Sequence, residues 1–175
     1  MSLPPIYPPE AVVPFREELT AVGFEELKTP QDVDSALKAT KGTVFCVINS
    51  VCGCAAGQAR PGAMQALQNG VIPDRSVTVF AGVDRDAVEA ARKHMAGYPP
   101  SSPAMGLFKD GKQVFMLQRI DLQQMNQDQV AGALQGAFDQ HCAKKGPSVD
   151  PEVYRQLQPY QGCGSSIPLM TRNRS

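Results

Sequence analysis

Thr43-Val44-Phe45-Cys46-Val47-Ile48-Asn49-Ser50-Val51-Cys52-Gly53-Cys54 is the stretch that decides the fold. Thr43 to Asn49 is a continuous apolar, β-branched run of strand length, the pattern of a strand buried on both faces. Two cysteines follow, and an alanine-rich helical pattern then runs to about Asn69-Gly70. Ser76 to Ala81 is a second buried strand, and a strand, a helix and a strand give a right-handed parallel unit. Asp84 can cap a helix over Arg85 to Met95. Ser102-Pro103 leads into a strand over Ala104 to Phe108. Asp110-Gly111 suits a type I′ turn into the return strand Gln113 to Leu117. Gln127 to Cys142 reads as a helix with the stripe Val130, Leu134, Phe138 and Cys142. Upstream, Glu10 to Thr20 is a short helix with Pro14 in its first turn. Thr29 caps a second helix, with Pro30 at its first position and Val33, Ala36 and Leu37 inward; Lys41-Gly42 stops it. The predicted fold class is α/β: a mixed central sheet flanked by helices, with an extra N-terminal helix.

Proline sets the outer limits. Of 15 prolines, Pro4, Pro5, Pro8, Pro9 and Pro14 crowd the start, and Pro147, Pro151, Pro159 and Pro168 follow Lys145. Residues 1–9 read as an arm, 10–142 as one domain, and 143–175 as an extended or irregular tail. The 175 residues fit one domain.

Seventeen basic and 17 acidic residues leave a formal charge of zero. Such a chain has no general pull on phosphate backbones, so bulk nucleic-acid binding is not expected. No apolar run approaches the roughly 18 residues that span a bilayer. The start Met1-Ser2-Leu3-Pro4-Pro5 has neither basic n-region nor apolar h-region, so no secretory signal or membrane partner is expected. The expected compartment is the cytoplasm. The 5 cysteines are an odd set, unlike a disulfide-stapled secreted scaffold.

Cys52 and Cys54 lie where a buried strand gives way to a helix. Helix N-termini present unpaired N–H groups and about half a positive charge. A thiolate there is stabilised, its pKa depressed and its nucleophilicity raised near neutral pH. Gly53 lets the backbone bend between the thiols. Residues two apart span up to about 7 Å, the upper limit of disulfide Cα spacing, so a Cys52–Cys54 bridge requires a bent loop and is easily reduced. Two other readings compete. A metal-binding protein could draw on Cys52, Cys54 and Cys142 with His141, although one intervening residue is tight for a zinc pair. A non-catalytic interaction module would leave the cysteines idle.

Cys46 lies mid-strand and reads as an inert core thiol. Cys142 closes the last helix stripe, as a core thiol or a resolving one. Cys163, between Gly162 and Gly164, is an incidental tail cysteine or a resolving thiol on a flexible arm. Arg60 lies over a turn beyond Cys54 and acts weakly on the thiol unless its side chain folds back. Pro61 should kink the helix, and Pro103 is a candidate cis-proline.

Asn49-Ser50-Val51-Cys52-Gly53-Cys54-Ala55-Ala56-Gly57, with Ala59-Arg60-Pro61, resembles the active-site signature of the bacilliredoxins, bacterial proteins with a thioredoxin-like fold and a Cys-Gly-Cys motif. The resemblance continues in Glu18-Leu19-Thr20, Gly23-Phe24-Glu25-Glu26-Leu27, Val77-Thr78-Val79-Phe80-Ala81-Gly82, Pro100-Ser101-Ser102-Pro103 and Ala137-Phe138-Asp139-Gln140-His141-Cys142, covering about Val12 to Cys142. It implies that Cys52 is the attacking thiol, that Cys54 is the second thiol, and that Pro103 is a cis-proline facing them. Gly53, Ser102 and Pro103 would then hold substrate. The implied activity is thiol–disulfide exchange that removes bacillithiol, or a similar low-molecular-weight thiol, from S-thiolated cytosolic proteins, with disulfide isomerase activity besides. The small thiol is a co-substrate, and no bound cofactor or metal is expected. The tail from Ala143, with Cys163, falls outside the resemblance.

Overall fold

The computed structural model describes residues 2–39, 41–157 and 167–170. Its center is β2 (Thr43–Asn49), whose seven residues are all buried. β2 lies between β4 (Arg75–Phe80), which runs parallel to it, and β5 (Ala104–Lys109), which runs antiparallel. β1 (Glu25–Glu26) adds to the far side of β4, and β6 (Lys112–Leu117) pairs with β5. The sheet order is therefore β1-β4-β2-β5-β6. A small second sheet joins β3 (Val71–Ile72) to β7 (Lys144–Lys145).

Both faces of the sheet are covered, which is why β2 and β4 carry apolar runs rather than alternation. On one face, Phe45 and Val47 of β2 meet α1 (Val13–Thr20), α3 (Arg60–Ala66) and α6 (Gln127–His141) through Leu19, Ala63, Leu67, Val130, Leu134 and Phe138. On the other, Val44, Cys46 and Ile48 meet α2 (Pro30–Leu37) and α4 (Arg85–His94) through Val33, Leu37, Val88 and Ala91. α3 and α6 approach closely because Gly62 faces Val130, where an added Cβ would lie 2.6 Å from the valine side chain. This is the thioredoxin-like architecture expected from the sequence, with α1 as the extra N-terminal helix.

Local rules account for most element ends. Thr29 and Asp32 form a capping box at α2. Asp110 and Gly111 take positive φ values of 52° and 80°, as a type I′ turn requires. Asp84 precedes α4 without capping it by its side chain. It instead accepts two hydrogen bonds from Arg16, at 2.8 and 3.0 Å, and one from the Phe80 N–H.

The chain after Cys142 departs from the irregular tail expected. β7 and α7 (Pro151–Gln156) are regular, and Val149, Tyr154 and Leu157 pack on the α3/α6 side of the core. Their apolar residues are too few to announce a helix from periodicity alone. The N-terminal arm is tied to the domain by the Ile6 N–H, which donates to the Gly82 carbonyl at 2.6 Å. Gly82 has φ +85°, and a Cβ there would strike the Tyr7 ring.

Candidate active site

Three loops meet at one edge of the sheet. β2 ends at Asn49, β4 ends beside it at Phe80, and β5 begins at Ala104, opposite Ile48. The Cys52 loop, the Ala81–Asp84 turn and the Ser101–Pro103 segment are consequently neighbours. The Ser102–Pro103 peptide is cis.

Asn49 and Arg60 build the floor under the cysteines. The Asn49 amide donates to the Phe15 carbonyl, and its Oδ1 accepts from the Ser50 N–H at 2.8 Å. Arg60 is completely buried. Its Nε donates to Glu18 at 2.6 Å, its Nη1 donates to the Ser50 carbonyl at 2.7 Å and to Asn49 at 3.2 Å, and its guanidinium lies 4.8 Å from the Phe15 ring centroid. The side chain thus folds back, as it must to act near the thiols. It grips the backbone just before Cys52 rather than touching either sulfur. Val51 packs with Val12, Phe15, Phe80 and Val83, completing the support.

The helix after the motif is not the kinked α-helix expected. Ala55–Ala59 form a π-helical turn, in which the Arg60 N–H reaches the Ala55 carbonyl, five residues back. Pro61 has no N–H to donate, and its ring would crowd the carbonyl four residues earlier; widening the turn accommodates both. α3 proper ends at Ala66, short of Asn69-Gly70.

Cys52 caps this helix start, its carbonyl accepting from the Ala55 and Ala56 N–H groups. Both thiols are half-buried, and their sulfurs stand 3.0 Å apart. Burial pushes Cys52 up, but hydrogen bonds from Cys54, the Ala55 N–H and Ser50, together with the Arg119 charge, outweigh it and hold Cys52 below the ordinary thiol range. Cys54 goes the other way. Burial, the hydrogen bond to Cys52 and the Cys52 charge push it up to about 11 against the opposing pull of Arg119 and its own N–H. The pair therefore ionises first at Cys52, and Cys54 keeps its proton to higher pH. That arrangement presents a nucleophile and keeps its partner in reserve.

Arg119 was not legible in the sequence. It begins α5 (Arg119–Leu122), its N–H donates to the Ser101 hydroxyl, and its Nη1 donates to the Ser102 carbonyl at 3.3 Å. It reaches the site because β6 runs back antiparallel to β5, returning Leu117 beside Met105, just past Pro103. No local motif marks such a return.

The remaining cysteines divide clearly. Cys46 is fully buried, and burial pushes its thiol up to about 12. Cys142 sits at the far end of the sheet, where burial raises it, partly offset by the Thr43 hydroxyl at the start of β2. The length of β2, more than about 20 Å at roughly 3.3 Å per residue, separates that end from Cys52. The proposed metal set of Cys52, Cys54 and Cys142 is therefore not brought together. Among the described residues no group of three or more His, Cys, Asp or Glu side chains is placed to hold a metal ion. The same separation places Cys142 outside the neighbourhood of a Cys52 adduct. Cys163 lies outside the described residues. Among the described residues no helix is long and apolar enough to cross a membrane.

Residues 7–142 match the disulphide isomerase family. A bacilliredoxin of Koribacter versatilis is 49% identical over 137 residues, 78% of this chain and 94% of the relative. One of Salinibacter ruber is 47% identical over 146 residues, 82% of this chain and 86% of the relative. A solved thioredoxin of Malassezia sympodialis is similar at 14% identity with a TM-score of 0.45, over 68% of this chain and 90% of that one.

Proposed function

The chain belongs to the bacilliredoxin family and is a thiol–disulfide oxidoreductase, and on that premise we propose that Cys52 takes bacillithiol, or a similar low-molecular-weight thiol, from cytoplasmic protein mixed disulfides. The observation that carries this reading is the asymmetric pair: Cys52 held below the ordinary thiol range, with Cys54 at about 11 and 3.0 Å away.

The Cys52 thiolate attacks the small thiol's sulfur in the mixed disulfide. A Cys52–S bond forms, the original S–S bond breaks, and the target leaves as a thiolate that takes a proton from water. No net oxidation occurs in this step. With Cys52 uncharged in the adduct, two of the influences that raise Cys54, the hydrogen bond to Cys52 and its charge, are gone. Cys54 then loses its proton more readily, attacks Cys52 and expels the small thiol, leaving a Cys52–Cys54 disulfide for an external thiol to reduce. A second small thiol can attack instead and yield a free disulfide. Gly53, Ser102 and Pro103 would receive the partner, whose extended chain can lie along the backbone beside Pro103. Isomerase activity follows where the attacked disulfide is within a protein and Cys52 is expelled again. Cys163 remains a candidate resolving thiol.

A protein carrying one small-thiol adduct, mixed with reduced enzyme, gives the test. The expected result is release of the free protein thiol by wild type and by Cys54→Ser, and none by Cys52→Ser. Release by Cys52→Ser at the wild-type rate would overturn the assignment.

A further inference from the structure

Ser50, one residue past the end of β2, is buried and has its backbone fixed on both sides. Its N–H donates to Asn49 Oδ1 at 2.8 Å, and its carbonyl accepts from Arg60 Nη1 at 2.7 Å. Each holder is itself anchored. The Asn49 amide donates to the Phe15 carbonyl at 3.1 Å, and Arg60 Nε donates to Glu18 at 2.6 Å. With the backbone clamped, the serine keeps only the freedom of its own side chain. Its hydroxyl oxygen accepts from the Cys52 N–H at 3.4 Å, which turns the side chain toward the reacting residue.

That contact uses only the acceptor side of the hydroxyl. A serine oxygen accepts through its lone pairs and donates through one proton, and a buried donor is ordinarily satisfied. The Cys52 sulfur takes the proton's hydrogen bond: against the upward push of burial, the Ser50 hydroxyl acts with Cys54, the Ala55 N–H and Arg119 to hold Cys52 below the ordinary thiol range. A hydrogen bond to an ionised sulfur is stronger than one between neutral groups. The other charged and titratable groups stand around this contact. Cys54 lies on the same loop, Arg60 and Glu18 lie beneath it, and Arg119 comes from α5 by way of the Ser102 carbonyl. The hollow on the open side of Ser50 is edged by Tyr7, Arg85, Glu89 and Arg92.

We infer that Ser50 is a catalytic residue of the exchange reaction, its hydroxyl aimed by the Asn49–Arg60 clamp and donating to the Cys52 sulfur whenever that sulfur carries charge. The inference rests on Cys52 as the attacking thiol and adds the group that manages its charge. The proton stays on Ser50 Oγ throughout. Before attack, the hydroxyl holds the thiolate. As the Cys52–S bond forms and the S–S bond of the mixed disulfide breaks, the charge passes to the departing sulfur and the hydrogen bond weakens. When Cys52 is expelled instead, it leaves with the electron pair and recovers the bond. The hydroxyl therefore raises the population of thiolate near neutral pH and lowers the reactivity of each thiolate. The clamp also gives the buried Arg60–Glu18 pair a task in the reaction, where a buried ion pair by itself is weak evidence for stability.

The test follows iodoacetamide alkylation of the full chain across pH, with the label mapped by mass spectrometry. Ser50→Ala is expected to raise the Cys52 midpoint by about one pH unit, because the lost donor favoured the charged form. That is tenfold in the ionisation equilibrium, or about 1.4 kcal/mol. Nucleophilicity rises with basicity along a Brønsted slope of about 0.4–0.5, so the plateau rate at high pH should rise about threefold. The two profiles therefore cross, the variant reacting about threefold more slowly well below both midpoints and about threefold faster above them. A serine that only shaped the turn would not produce a crossing. Ser50→Thr keeps the hydroxyl and should return midpoint and plateau toward wild type. Glu18→Leu with Arg60→Met leaves the hydroxyl in place but frees the Ser50 carbonyl. It should show the same crossing in smaller degree, which tests the clamp without altering Ser50. An unmoved midpoint in Ser50→Ala or in the double variant overturns the inference, as does a rate changed by one factor at every pH. A Ser50→Thr profile that follows Ser50→Ala overturns it too. A label that maps first to Cys54 in the wild type defeats instead the exchange reading on which the inference rests.

Discussion

At the scale of single residues, the two thiols are defined by each other. Cys54 is raised in part by the charge and hydrogen bond of Cys52, and Cys52 is lowered in part by the proton of Cys54. The coupling gives a reciprocal prediction. Removing Cys52 as Cys52→Ala should bring the Cys54 midpoint down from about 11, because two raising influences vanish and burial alone remains. Removing Cys54 as Cys54→Ala should raise the Cys52 midpoint toward the ordinary value of about 8.5, so less thiolate is present at any pH below that. Iodoacetamide alkylation followed across pH, with the modified residue mapped by mass spectrometry, reads both. Unchanged midpoints in both variants would show that the two thiols titrate independently. The pair itself was legible in the sequence, because a strand-length apolar run followed by Cys-Gly-Cys and an alanine-rich helix states its own geometry. The charge beside it was not, since Arg119 comes to the site only through the pairing of β6 with β5.

At the scale of elements, the sheet announced itself where it is buried on both faces and stayed silent where it is short and polar. The bounds of β2 follow directly from Thr43 to Asn49. β1, two glutamates at an edge, has no strand pattern and exists because it lies against Val77 and Thr78. The π-helical turn follows from Pro61, but a proline predicts a disturbance without saying which kind. Arg60 is the element-level finding with the largest consequence. It ties α1, β2 and α3 together through Glu18, Asn49 and the Ser50 carbonyl. Removing one partner of a buried ion pair leaves the other uncompensated, at a cost of about 3–5 kcal/mol. Arg60→Met should lose that much in urea unfolding. Glu18→Leu with Arg60→Met should recover a large part of it, because no charge is then stranded. The double variant should nonetheless keep an altered Cys52 alkylation profile, since the Ser50 carbonyl is no longer held. Additive losses would mean that Glu18 and Arg60 are not coupled, and a restored profile would mean that Arg60 serves the core and not the loop.

At the scale of the whole molecule, the fold sorts the cysteines by place. The sheet edge that gathers three loops contains Cys52 and Cys54, the core contains Cys46, and the opposite end contains Cys142. Sequence spacing cannot show that sorting, because Cys142 reaches its position only after α6 has crossed the face of the sheet. The reduced form carries a stabilised thiolate, and stabilising the dithiol state makes its disulfide more oxidising. The Cys52–Cys54 couple should therefore titrate above thioredoxin's roughly −270 mV, as measured against glutathione buffers. A lower potential would mean that the disulfide is favoured by more than the thiolate.

The reading of the whole chain turns on what becomes attached to Cys52. Cys54→Ser, expressed in the cells that make this protein and purified under acid quench, should carry a single adduct. Intact-mass and peptide analysis should place it on Cys52, and its mass should be that of a low-molecular-weight thiol released by a reductant. An unmodified Cys52, or an adduct carried instead by the Cys54 thiol of a parallel Cys52→Ser variant, would contradict the account.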